Sequence, residues 1–224
     1  MRKPRMKTSS GRRFLAPLAG LLLLAALPWP GAAQSWRTVT MSRQLSDAEE
    51  LDVRVRFGAG RLNIEPAETG ALYRMHLRYD EESFEPVANF RGDRLELGVE
   101  SIRNRIHWRK DETQEMDLSL SREVPMDMDL EFGAVRADVD LGGLQMTRLE
   151  LSTGASESRV EFSEANPIRM SHASFECGAA DFQVRYLGNL NAEEIDVDAG
   201  VGNVVLDFQG EWQRDAEVSV DMGL

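Results

Sequence analysis

Seven carboxylates stand at matched distances from glycines. Asp129 and Glu131 precede Gly133 by four and two residues, Glu150 precedes Gly154 by four, and Glu176 precedes Gly178 by two. Asp196 and Asp198 precede Gly200 by four and two, and Asp221 precedes Gly223 by two. Acids in such a row offer two kinds of chemistry. Several oxygens together can hold a hard divalent cation, or face a basic partner, and two acids flanking a glycosidic bond can hydrolyse it. Asp196 with Asp198, or Asp138 with Asp140, are the pairs suited to hydrolysis. Similar acids recur along the whole array, so no pair is singled out. The row reads first as a solvated face that favours solubility. No EF-hand loop or Ca²⁺-binding nonapeptide repeat accompanies it, and neither a metal nor a cofactor is assigned.

Other reactive side chains add little to a catalytic reading. His76, His107 and His172 are far apart in sequence, and no zinc-protease or serine-hydrolase motif surrounds them. No catalytic residue is assigned. Cys177 is the single cysteine, which excludes an intramolecular disulfide. Its place in the repeat predicts a buried core thiol, because free cysteine behaves as a small hydrophobe. The one basic island is residues 102–110, where Arg103, Arg105, His107 and Arg109 share one parity and Ile106 and Trp108 the other. On a strand this gives a cationic face backed by an apolar one. It could contact an anionic glycan, a phosphate or an acidic partner, with Trp108 as anchor; read more plainly, it is a solvated hairpin that offsets the acidic repeats.

The elements that carry these side chains are alternating strands. Gly133, Gly154, Gly178, Gly200 and Gly223 are spaced by 21, 24, 22 and 23 residues, a period expected of a stacked solenoid, and Gly58 begins an earlier copy. One, three and five residues before these glycines the chain reads Phe57, Val55, Val53; Phe132, Leu130, Met128; Thr153, Leu151, Leu149; Cys177, Phe175, Ala173; Ala199, Val197, Ile195; and Met222, Val220, Val218. Four and six residues after the first five of them it reads Leu62, Ile64; Ala137, Val139; Ser158, Val160; Phe182, Val184; and Val204, Leu206. Period-two alternation puts each set on one strand face. One coil cannot bury its own face, so neighbouring copies must supply the missing wall. The expected fold is all-β: a solenoid-like stack of short strands, a right-handed parallel β-helix, with an antiparallel N-terminal section. The glycines fit corners that need positive φ or a close backbone approach, or else bulges within one long strand.

The segment Phe57-Gly58-Ala59-Gly60-Arg61-Leu62, with Leu130-Glu131-Phe132-Gly133-Ala134, Asp140-Leu141-Gly142-Gly143-Leu144 and the later glycine turns, resembles the toast-rack family of bacterial envelope proteins. That family is similar to the C-terminal domain of LiaF-type cell-wall stress proteins. The resemblance covers residues 51–224 and implies a solenoid-like envelope domain without catalytic residues.

In chain order, residues 1–33 read as a signal peptide. Arg2, Lys3, Arg5, Lys7, Arg12 and Arg13 form a basic region, residues 14–27 are almost wholly apolar, and Gly31-Ala32-Ala33 offers a cleavage site. The apolar run is too short for an ordinary membrane span, and no later segment is long and apolar enough to cross. Cleavage would leave 191 residues with 20 Lys plus Arg against 38 Asp plus Glu, a net charge of −18. That balance argues against nucleic acid as a partner. Residues 34–125 are expected to form an N-terminal β section, with a strand over 37–44, one helical turn near Ser46 and Asp47, the first repeat, and an inserted meander around the Gly92-Asp93 turn. Residues 126–224 carry the glycine-turn repeats, the last of which begins at Glu217 without a second strand. Such an edge invites self-association. The sequence thus points to an exported, non-enzymatic interaction or scaffolding module of the cell envelope, periplasmic or extracellular, with an envelope protein or glycan as partner. The resemblance adds a link to envelope stress sensing. A carbohydrate-binding or polysaccharide-processing solenoid with an acidic groove is the alternative.

Overall fold

A computed structural model describes residues 35–45, 49–67, 70–102 and 113–223. The signal-like leader, the expected helical turn at Ser46 and Asp47, and the basic island from Arg103 to Arg109 lie outside these residues. Among the described residues fourteen strands follow one another: β1 (Trp36–Gln44), β2 (Leu51–Pro66), β3 (Ala71–Asp80), β4 (Phe84–Arg91), β5 (Arg94–Ser101), β6 (Glu115–Leu120), β7 (Met126–Asp140), β8 (Met146–Thr153), β9 (Glu157–Glu161), β10 (Met170–Cys177), β11 (Ala180–Arg185), β12 (Ala192–Ala199), β13 (Gly202–Leu206) and β14 (Glu217–Met222). The fold is all-β, as expected, with one 3-10 turn at Leu187–Leu190.

Hydrogen bonding joins all fourteen strands into one mixed sheet that does not close into a barrel. Its two longest strands, β2 and β7, bend at Gly58 and Gly133 and so belong to two walls. In the first wall, residues 51–57 of β2 pair with residues 126–132 of β7, and β8, β10, β12 and β14 follow in parallel. The second continues from residues 61–64 and 136–140 of the same strands through β9, β11 and β13, again in parallel. An antiparallel section caps both walls on the N-terminal side, as expected: β4 and β5 extend the first, and β6, β3 and β1 the second.

The two inner faces meet in a continuous apolar core. Phe175 on β10 has its ring 6.4 Å from Phe162, just past β9, and 6.3 Å from Phe182 on β11, so rings from opposite walls interdigitate. The stacked positions read from the sequence are buried in the first five coils, except that Val204 and Leu206 of the fifth are half-buried, and Val218, Val220 and Met222 of the last are exposed.

At Gly133 and Gly200 the corner requires glycine for close approach rather than for positive φ. None of the six recurrent glycines has a positive φ; Gly60 and Gly202, two residues past their corners, do. A Cβ at Gly133 would lie 2.1 Å from the Gly58 carbonyl oxygen, and one at Gly200 would lie 2.7 Å from that of Gly178. Backbone N–H groups continue the ladder through the corners, from Gly154 to Phe132 O at 3.0 Å, Gly178 to Thr153 O at 2.9 Å and Gly200 to Cys177 O at 2.7 Å. Opposite the corners, buried asparagines tie the returning turns together. Asn166 accepts from Met146 N and Ile168 N, both at 3.2 Å, and donates to Met146 O at 2.8 Å and Leu190 O at 3.2 Å. Asn189 donates to Phe162 O and Asn191 to Ile168 O, each at 2.8 Å.

Candidate binding face and groove

Parallel, in-register pairing brings the outward side chains of the first wall into rows. Nearest the corners the row reads Arg56, Glu131, Ser152, Glu176, Asp198, Asp221; the next reads Arg54, Asp129, Glu150, Ser174, Asp196, Ser219. All seven carboxylates that the sequence singled out therefore share one face. Neighbouring strands are about 4.8 Å apart, where two exposed carboxylates repel by roughly 0.9 kcal/mol before salt screening.

Part of that repulsion is relieved. Arg54 Nε donates to Asp129 at 2.6 Å and Arg56 Nε lies 2.9 Å from Glu131, both arginines coming from β2. Arg148 pairs with Glu150. His172 stands between two acids, with Nδ1 3.3 Å from Glu194 and Nε2 3.8 Å from Asp196. Along the corner row the relief stops at Glu131: among the described residues no ion pair reaches Glu176, Asp198 or Asp221. Sequence reasoning missed Arg54 and Arg56, although counting two and four residues back from Gly58, as from every other anchor, reaches them.

A groove of about 760 Å³ runs along the corners, lined by the stacked backbone of Gly58, Gly133, Gly154, Gly178 and Gly200 and by Arg56, Glu131, Ser152, Glu176 and Asp198. With no side chain on its glycines, the groove is open along several coils. Cys177 borders it and is buried. Burial first, and the Asp198 charge second, push its thiol above the ordinary value, which disfavours the nucleophilic thiolate.

The other candidates are dispersed. Asp138 lies 3.4 Å from Arg159, and Arg185 lies 3.2 Å from Glu161, so the second wall alternates charge between coils. Asp140 accepts from Gly142 N at 2.8 Å and Ser163 Oγ at 2.6 Å and caps a turn. His76 meets Thr40 at 2.9 Å on the antiparallel section. Among the described residues, one group has the composition to hold a metal: His172, Glu194 and Asp196, with ligand atoms within 4.8 Å of one another.

The family model for the N-terminal domain of toast_rack (DUF2154) matches residues 31–185 and again 167–224. The chain belongs to the toast-rack family. The two matches overlap, as expected when the second repeats part of the coil pattern of the first. Among solved structures, the toast-rack chain is similar to a candidate cell-adhesion protein from Clostridium sporogenes, at 13% identity over 84% of this chain and 99% of that one, with a TM-score of 0.59. A candidate lipid-binding protein from Parabacteroides distasonis covers 84% of this chain and 95% of its own at 9% identity, with a TM-score of 0.30. A candidate adhesin from Bacteroides fragilis covers 84% and 98% at 9% identity, with a TM-score of 0.29. No curated protein matches the toast-rack chain. Identity this low in the first of these speaks for the fold alone. Among the described residues, no helix is long and apolar enough to cross a membrane.

Proposed function

We propose that this toast-rack protein is an exported, non-catalytic interaction module of the bacterial envelope, and that its corner groove takes an extended cationic segment of an envelope partner. The observation that carries this reading is the run Glu176, Asp198, Asp221: three successive carboxylates without a cation among the described residues, two of them lining a groove floored by glycine backbone. A cationic chain laid across the coils would meet one carboxylate per strand, at intervals of about 4.8 Å. The Arg56–Glu131 pair closes the acidic run at its N-terminal end and gives the groove a direction. Export is supported by the basic and then apolar leader of residues 1–33. Catalysis by Asp138 and Asp140 is disfavoured because Arg159 and Ser163 engage them.

Calorimetric titration with a lysine decapeptide tests the reading. Binding should weaken as salt rises, and Glu176→Gln with Asp198→Asn should weaken it about fivefold, each exposed pair contributing roughly 0.5 kcal/mol. Binding indifferent to both substitutions, or a preference for a neutral oligosaccharide, overturns it.

A further inference from the structure

His172 on β10 and Glu194 and Asp196 on β12 project from the outer face of the first wall. Parallel pairing sets His172 directly beside Glu194, and Asp196 follows two residues on, on the same face. Nδ1 of His172 lies 3.3 Å from Glu194 and Nε2 lies 3.8 Å from Asp196. One ligand atom from each of the three residues lies within 4.8 Å of the other two. We propose that these three side chains form a binding site for a divalent transition ion of the Zn²⁺ class.

The charges around these residues call for a cation. Elsewhere on this wall arginines answer the acids: Arg54 meets Asp129, Arg56 meets Glu131 and Arg148 meets Glu150. Among the described residues no lysine or arginine pairs with Glu194 or Asp196. Ser174 and Ser219 flank Asp196 in register, and Glu217 stands beside Glu194 and adds a third carboxylate. On the other side of His172, Arg148 is held by Glu150. An imidazole between two acids is also the arrangement of a plain ion pair, but a metal ion takes the place of its proton and brings two charges instead of one. The donor set decides the class of ion. Oxygens alone would suit Ca²⁺ or Mg²⁺, whereas an imidazole nitrogen with carboxylate oxygens suits Zn²⁺ and its neighbours. Three atoms within 4.8 Å of one another all lie within about 2.8 Å of a common point, so small side-chain rotations bring them to the usual Zn²⁺ distances of about 2.0 to 2.2 Å. Three protein ligands leave the remaining coordination to water. The site shares no residue with the corner groove and stands whether or not a cationic segment binds there.

Calorimetric titration of the untagged chain with Zn²⁺ tests the site. One ion per chain should bind with a Kd below about 50 µM, and about 1 mM Ca²⁺ should not displace it. His172→Ala should weaken binding at least about fivefold, and Glu194→Gln with Asp196→Asn at least as much. Asp129→Asn, in the same row as Asp196 but three strands away, should change it less than about twofold. A second readout needs no substitution. In ¹⁵N-labelled protein Zn²⁺ should shift the imidazole nitrogen signals of His172, while those of His76, which meets Thr40 on the antiparallel section, stay in place. Four results overturn the proposal: no saturable binding below about 50 µM, a loss under fivefold in His172→Ala, displacement of Zn²⁺ by Ca²⁺, which marks a diffuse acidic face, or His172 signals that Zn²⁺ leaves unmoved.

Discussion

Asn166 is buried where two coils turn back, and its amide satisfies backbone groups of Met146, Ile168 and Leu190 at once. Alanine there removes four hydrogen bonds and strands backbone groups away from water. Net values near 1 kcal/mol per bond, with partial recovery, give an expected loss of about 3 kcal/mol by urea unfolding. Asp127 is a milder and pH-dependent case. Loss of hydration pushes its carboxyl above the ordinary 3.8, the charges of Asp52, Glu150 and Glu50 add to this, and Arg148 opposes it. A carboxyl raised in the folded state favours folding in its protonated form. That contribution is full below the unfolded value and is lost as pH rises through the folded one. Asp127→Asn should therefore stabilise the protein at pH 7, by no more than about 0.5 kcal/mol because solvent screens the site. Its advantage should shrink in thermal melts taken below pH 4.

At the scale of elements, the recurrent glycines do different things although each stands at the same place in its repeat. Gly133→Ala would drive a Cβ to 2.1 Å from the Gly58 carbonyl oxygen, and backbone packed between two strands cannot yield cheaply. A loss of about 3 kcal/mol or more is expected. At Gly154 the nearest atom would be 3.5 Å away, an ordinary contact, and φ is not positive. Gly154→Ala should stay within about 1 kcal/mol of the parent, helped by reduced freedom of the unfolded chain. Paired denaturant midpoints check the contrast. The strands were legible in the sequence because period two fixes the buried face: Val53, Leu130, Leu151, Phe175 and Val197 are all buried where alternation placed them. The corners were legible as positions but not as mechanism, since spacing does not separate a left-handed φ from a close approach. The asparagine ties escaped notice. Apart from Ile168 N, which Asn166 meets as any turn asparagine would, their partners are backbone groups 20 to 27 residues away, and nothing local distinguishes Asn166 from a turn residue beside Pro167. The acidic face was legible as a row, but its partial neutralisation depended on reading Arg54 and Arg56 as members of the first coil.

For the whole molecule, stacking makes stability a matter of neighbours. Each interior coil is held by strands on both sides and by the opposite wall, as in other repeat architectures. The N-terminal end of the stack is covered by the antiparallel section, with β5 and β6 paired to the two halves of β2. At the other end, β14 is paired on one side and Val218, Val220 and Met222 are open to solvent. Opening β14 exposes little that is not exposed already, whereas opening β7 breaks both walls at once. Hydrogen exchange should accordingly be graded. Amides of β14 should exchange first, β12 and β13 next, and β2 and β7 last, at free energies approaching global unfolding. Uniform protection from β2 to β14 would show that the coils open as one cooperative unit, and would remove the physical basis for treating the last coil as the adaptable end of the stack.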